Sequence, residues 1–167
     1  MIHEKHMQHV QKYIAKGVEQ GATLLSGGGQ RIAPSPETKN GFFLTPAIFV
    51  DCQDDMAIVR EEIFGMVMSV LPFDSEDEVL TRANDSEFGL SAGVFTKDLQ
   101  RAHRMVAGLQ VGTSWINNYN LAPVETPWGG YKKSGLGREN GLAGIESWTQ
   151  LKSVYVEMNE VWCPYAQ

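Results

Sequence analysis

Three histidines open the chain, His3, His6 and His9, and close histidine spacing raises metal chemistry first. A helical zinc pair needs imidazoles at i and i+4 with glutamate between them, whereas His3 and His6 stand at i and i+3. At 3.6 residues per turn the first and third lie about 120° apart around a helix, so a solvated helix start is expected. The glycine clusters fall short in a similar way. Gly27, Gly28 and Gly29 make a turn without the G-x-G-x-x-G spacing. Gly130 and Gly135 keep the Walker interval, but Leu136 stands where the lysine must be. Gly135, Gly137 and Gly141 miss the dinucleotide fingerprint by one residue. No nucleotide-binding motif is complete.

The two cysteines, Cys52 and Cys163, are too few and too far apart for a zinc site or a disulfide framework. A reducing, cytoplasmic setting is the expectation. A catalytic thiol wants an electropositive, partly exposed niche. Cys52 instead has Asp51, Asp54 and Asp55 around it, and Cys163 stands in the tail, so both read as structural or incidental. The remaining chemistry lies in residues 117–139. Asn117, Asn118, Tyr119 and Asn120 leave a strand end, with Trp115, Trp128 and Tyr131 nearby in sequence. In parallel α/β sheets ligands bind beyond the carboxyl ends of the strands, and loop aromatics favour binding. The same rings would also serve to pack the loop; residue types leave both uses open.

The elements that must hold this loop are legible from periodicity. Met7, Val10, Ile14 and Val18 predict a buried helical face, and Gly21 a stop. Thr23 to Leu25 and the run Phe42 to Val50, on both sides of Pro46, read as strands. Met66 to Leu71 suits a strand buried on both faces. Ser75 with Glu78 makes a capping box for a helix through Val79, Leu80 and Ala83. A strand at Ser91 to Phe95, a helix marked by Leu99, Ala102 and Val106, and a strand at Val111 to Ile116 follow. This alternation predicts an α/β fold, a parallel sheet flanked by helices with right-handed crossovers. A helix is expected between Gly141 and Gln150. Val154, Val156 and Met158 alternate as in a half-buried strand, so Ser153 to Met158 reads as an arm that pairs with another sheet.

Three strings then carry a resemblance. Glu61-Glu62-Ile63-Phe64-Gly65, Phe88-Gly89-Leu90-Ser91-Ala92-Gly93-Val94-Phe95 and Gly129-Gly130-Tyr131-Lys132-Lys133-Ser134-Gly135-Leu136-Gly137-Arg138-Glu139 stand in this order. Together they resemble the aldehyde dehydrogenase superfamily, in order and spacing. Trp115-Ile116-Asn117, Tyr119-Asn120-Leu121, Pro123-Val124-Glu125 and the ending Lys152 to Met158 resemble the betaine aldehyde dehydrogenases in particular. The likeness is to the C-terminal third of that superfamily. It implies residues 1–147 as the C-terminal part of a catalytic domain and 148–167 as an oligomerisation arm. The family's Rossmann domain, general-base glutamate and catalytic cysteine belong to the part of its length before these motifs. Two positions depart from the family: Met66 stands where proline is usual, and Asn118 where threonine or cysteine is frequent.

Carried over residue by residue, the resemblance implies that Glu62 holds the nicotinamide ribose hydroxyls and Phe64 flanks the nicotinamide of NAD or NADP. A carboxylate suits the first task, because charge-assisted hydrogen bonds are the strong ones. Trp128, Leu121 and Tyr119 would line the aldehyde channel. Glu139 would serve as a charge relay, or equally as an ion-pair partner of Arg138 or Lys133. The carbonyls of Lys132 and Gly135 would hold a potassium ion, a weakly hydrated cation suited to carbonyl cages. The implied reaction is oxidation of betaine aldehyde to glycine betaine through a thiohemiacetal, hydride transfer to nicotinamide and thioester hydrolysis. A second reading makes the chain a free-standing, non-catalytic oligomerisation or interaction module. An unrelated α/β ligand-binding module would require all three motif matches to be accidental.

Composition bounds these readings. The 167 residues are 43% apolar and 20% charged with a net charge of −6, which excludes disorder, collagen and a basic nucleic-acid footprint. No apolar run approaches the roughly 20 residues of a membrane span. The expected partners are a small aldehyde and a second copy of the chain, with neither nucleic acid nor membrane.

Overall fold

The first helix, α1 (Glu4–Glu19), begins where the His3 Nδ1 accepts a hydrogen bond from the His6 amide at 3.0 Å. It ends at Gly21, whose φ of +95° needs glycine. Its buried stripe is Met7, Val10, Ile14 and Gly17. Val18, expected on that face, is 52% exposed. Gly17 takes the inner place because the helix meets bulk there. A Cβ on Gly17 would lie 3.0 Å from Ile58 and 3.1 Å from Phe49.

The computed structural model describes residues 1–160 and Tyr165, and the chain divides into two units, Met1–Ser86 and Glu87–Gln167. The first unit continues with β1 (Thr23–Gly27), β2 (Arg31–Ile32), β3 (Phe43–Leu44), β4 (Ala47–Val50), α2 (Ala57–Arg60), β5 (Val67–Ser69) and α3 (Glu76–Asn84). Its three-stranded sheet has the order β1-β4-β5, antiparallel then parallel, and β2 pairs with β3. Phe49, wholly buried, centres a core with Met7, Val10, Ile14, Ala47 and Ile58. The β5 strand lies where expected but is half-buried on one face and open on the other. Met66, Met68 and Val70 point outward, at 52%, 58% and 40% exposure. It is an edge strand, paired with β4 alone. At α3, Ser75 Oγ accepts from the Glu78 amide at 3.2 Å, while the Glu78 carboxylate accepts from the amide of Asp74 at 2.8 Å. The box therefore closes one residue upstream of the expected pair.

The second unit contains β6 (Phe88–Gly89), β7 (Ser91–Val94), α4 (Leu99–Gly108), β8 (Thr113–Ile116), β9 (Tyr131–Lys132) and α5 (Gly141–Glu146). Strands β7 and β8 pair in parallel across α4, whose Ala102 and Met105 are buried. Strands β6 and β9 pair antiparallel. The α/β expectation holds, with parallel pairing realised as two ladders, β4/β5 and β7/β8. The helix expected at 141–150 stops at Glu146; with Gly141 and Gly144 in one short helix, its propensity is poor. The expected tail strand, Ser153 to Met158, forms no ladder in the single chain. Val154, Val156 and Met158 are 73%, 67% and 85% exposed, because a strand needs a partner backbone and none lies alongside among the described residues. The Cys163 expectation lies outside the described residues. No helix among those described is long and apolar enough to cross a membrane.

Candidate functional site

In the first unit, helix α2 ends at Arg60 and the chain turns extended at Glu61. Ile63 then plugs the core at 8% exposure. Its two neighbours face out. Phe64 sits in the left-handed region at φ +55°, which carries its ring into solvent at 75% exposure. Glu62 is exposed, and no described residue bonds its carboxylate. The adjacent Glu61 is fully engaged. It accepts from Tyr13 Oη at 2.5 Å and pairs with Lys16 Nζ at 3.4 Å. The Tyr13 hydroxyl, then Lys16, holds the Glu61 carboxyl below the usual carboxylate range. The same bond pushes the Tyr13 phenol up. Of two consecutive glutamates, the structure therefore leaves only Glu62 free for a ligand. A free acceptor beside an exposed ring fits a group that offers hydroxyls and a flat heterocycle.

In the second unit, β8 delivers Trp115 to a buried position, where its indole N–H donates to the Leu121 carbonyl at 2.8 Å. That bond folds the following loop back over the strand end. Tyr119 and Trp128 come to 5.5 and 5.9 Å from the Trp115 ring, centroid to centroid. Asn117, at φ +53°, locks the turn by accepting from the Thr96 amide and donating to the Thr96 carbonyl. Asn118 Oδ1 caps the Tyr119 amide at 2.7 Å. Trp115, Leu121, Pro123 and Trp128 border a cavity of about 260 Å³. The Trp115 and Trp128 rings thus border a space as well as packing the loop, and Tyr119 remains 68% exposed.

Trp128 is bridged to Glu139 through two backbone hydrogen bonds of 2.8 and 2.7 Å. The Glu139 side chain forms no ion pair among the described residues. Lys133 pairs instead with Glu87 at 2.5 Å. Arg138 donates to the carbonyls of Gly130 and Gly137 and stacks 5.3 Å from the Tyr131 ring. The ion-pair alternative for Glu139 is therefore replaced by an open carboxylate. It borders a cleft of about 450 Å³ with Trp128, Gly130, Ser134, Gly135 and Trp148.

Lys132 (φ +53°) and Gly135 (φ +147°) flank a turn closed by the Ser134 amide on the Tyr131 carbonyl at 3.1 Å. No group of three or more His, Cys, Asp or Glu gathers for a metal among the described residues. Cation chemistry at this turn would be of the main-chain carbonyl kind. Cys52 is buried, its Sγ lying 3.9 Å from the Val50 carbonyl.

Two contributors are not visible from residue types. His6, expected as part of a solvated helix start, places Nε2 2.7 Å from the Phe64 carbonyl, and Tyr13 holds Glu61. The available signal is their helical phase: 6 and 13 lie along one side of α1, next to Val10 of the buried stripe.

Comparisons with known proteins identify the family. Residues 1–154 match the aldehyde dehydrogenase family. The chain is 56% identical over 161 residues to the 4-trimethylaminobutyraldehyde dehydrogenase of Mus musculus, covering 96% of this chain and 33% of that protein. It is 57% identical over 165 residues to a betaine aldehyde dehydrogenase of Rhizobium leguminosarum, covering 99% and 33%. Among solved structures, an apo betaine aldehyde dehydrogenase variant from Staphylococcus aureus superposes with a TM-score of 0.92 at 36% identity, covering 100% of this chain and 33% of that one. An NAD+ complex of an aldehyde dehydrogenase from Bacillus cereus gives 0.88 at 45% identity, covering 95% and 31%. The chain spans about a third of the length of these relatives.

Proposed function

The chain belongs to the aldehyde dehydrogenase family, and on that premise we propose that it forms the cofactor-ribose and substrate-channel part of a dehydrogenase oxidising a trimethylammonium aldehyde, betaine aldehyde foremost. The observation that carries this reading is the ring cluster Trp115, Tyr119 and Trp128 beside a cavity. A quaternary ammonium is attracted to aromatic faces by roughly 0.5–2 kcal/mol. Two of the relatives are named for aldehydes of this class.

The dinucleotide, NAD or NADP, supplies hydride acceptance when bound. Glu62 accepts hydrogen bonds from ribose hydroxyls, and Phe64 bounds the nicotinamide side. The NAD+ complex among the similar structures supports NAD. Leu121 and Trp128 wall the aldehyde channel, and the exposed Tyr119 ring, 5.5 Å from that of Trp115, extends its aromatic lining. Glu139, with its carboxylate unpaired, serves as the charge relay from the neighbouring cleft, which Trp128 also borders. The carbonyls of Lys132 and Gly135 take a potassium ion at the exposed turn. The tail Ser153 to Met158 completes a strand ladder with a second copy.

The test is Trp128→Ala in a dehydrogenase carrying this segment. The Michaelis constant for betaine aldehyde should rise more than that for a neutral aldehyde of similar size. Equal losses for the two substrates would reduce Trp128 to packing and remove the basis for the substrate class.

A further inference from the structure

One side of α1 touches the Glu61–Gly65 loop at three points. His6, Val10 and Tyr13, spaced i, i+4 and i+7, share that side of the helix. Tyr13 Oη donates to Glu61 at the start of the loop, at 2.5 Å. His6 Nε2 lies 2.7 Å from the Phe64 carbonyl oxygen near its end. Val10 packs so closely on Gly65 that a Cβ there would come within 2.5 Å of its methyl.

A carbonyl only accepts, so Nε2 of His6 carries the proton and donates. Nδ1 of His6 is shielded and has no partner among the described residues. The Phe64 bond is thus the polar contact that orients this imidazole. Phe64 itself has φ +55°, a backbone state that bulky side chains adopt only when their surroundings impose it. The imposing groups are Ile63 in the core, Val10 beneath Gly65, and His6 on the carbonyl.

We infer that His6 is a positioning residue for the cofactor, fixing the left-handed Phe64 carbonyl so that Glu62 and the Phe64 ring stay aimed outward, with Tyr13 fixing the other end through Glu61. The inference rests on the reading that Glu62 and Phe64 contact the dinucleotide. Without the His6 donor, Phe64 relaxes toward negative φ, and its ring and the neighbouring carboxylate lose their common direction. The loss falls on binding of the dinucleotide and leaves aldehyde binding untouched.

The test compares His6→Ala, His6→Gln, Tyr13→Phe and Glu62→Gln in the holoenzyme. Hydrogen exchange of amides 62–67 is followed in parallel on this chain. His6→Ala should raise the Michaelis constant for NAD+ about fivefold, the worth of one net hydrogen bond. The constant for aldehyde and kcat should hold, and exchange should quicken only across the loop. Glutamine, whose amide N–H reaches the same carbonyl, should restore both. Tyr13→Phe, which removes a single oxygen, should shift the constant in the same direction with the fold kept. If Glu62→Gln raises the NAD+ constant and His6→Ala does not, the positioning role is overturned. Failure of glutamine to rescue overturns it as well. If Glu62→Gln has no effect, the cofactor reading itself falls and the inference falls with it.

Discussion

Trp128 and Glu139 exchange both of their backbone hydrogen bonds, at 2.8 and 2.7 Å, although eleven positions separate them. The exchange ties the Trp128 ring and an open carboxylate to one rung, and it does so without using either side chain. Fold and chemistry can therefore be separated at position 139.

Glu139→Gln tests that separation. The main-chain rung survives the substitution, so thermal stability should stay within about 0.5 kcal/mol of wild type. If the carboxylate relays a proton, kcat in a dehydrogenase carrying this segment should fall on the order of 10²-fold with the aldehyde Michaelis constant unchanged. An unaltered kcat would leave Glu139 with its backbone role alone.

Gly17→Ala should destabilise the first unit despite alanine's better helix propensity. The propensity gain is up to about 1 kcal/mol, whereas overpacking a closed core costs about 1–3 kcal/mol. Phe49, at 0% exposure, has no room to retreat from the added methyl 3.1 Å away. Denaturant unfolding should show a lower midpoint; a higher one would mean that Ile58 alone gives way.

Helix α4 should lend the fold a small acid sensitivity through its cap. Asp98 Oδ1 accepts the Arg101 amide at 3.0 Å, and that bond foremost holds the carboxyl below its ordinary range. A depressed folded value means that the contribution is complete above the ordinary aspartate value of about 3.9 and is lost as pH falls through the folded value. The stability difference between wild type and Asp98→Asn should therefore narrow on acidification below about pH 4. A difference that is flat with pH would count against the cap.

The chain by itself should catalyse no NAD(P)-dependent aldehyde oxidation and should self-associate. Its one described cysteine, Cys52, is buried, and the rate of this reaction depends on an activated nucleophile. Met66, Met68 and Val70 expose one face of an edge strand, and Val154, Val156 and Met158 are bare. Such surfaces drive association. Light scattering beside a cofactor-reduction assay checks both halves. A clean monomer refutes the association, and turnover above a no-protein blank refutes the inactivity.

Local rules carry the sequence a long way here. Gly21 ends α1, Ser75 caps α3, and Pro46 separates β3 from β4, because each acts through its own backbone neighbourhood. Glu62 and Phe64, which the resemblance names as cofactor contacts, are both exposed. What periodicity misses depends on partners distant in sequence. Met68 reads as buried because it is apolar, yet nothing described covers that side of β5. His6 reads as solvated because it is polar, yet the carbonyl that it meets lies 58 residues away. The β6–β9 pair joins Phe88 to Lys132, two short segments whose pairing neither one announces. The tail, Ser153 to Met158, forms no strand in the single chain for a related reason: alternation marks a strand's faces but supplies no edge for it to join.

Ile63 stands alone between two outward-facing neighbours, sunk in the core at 8% exposure. Three consecutive residues thus divide the labour, with the middle one answering to the fold and the outer two to whatever lies outside. Exchange of Glu62 or Phe64 for another side chain leaves the buried cluster in place. Exchange of Ile63 removes one of its members. On the proposed reading of a dinucleotide contact, positions 62 and 64 are the editable letters, and position 63 is the one to keep.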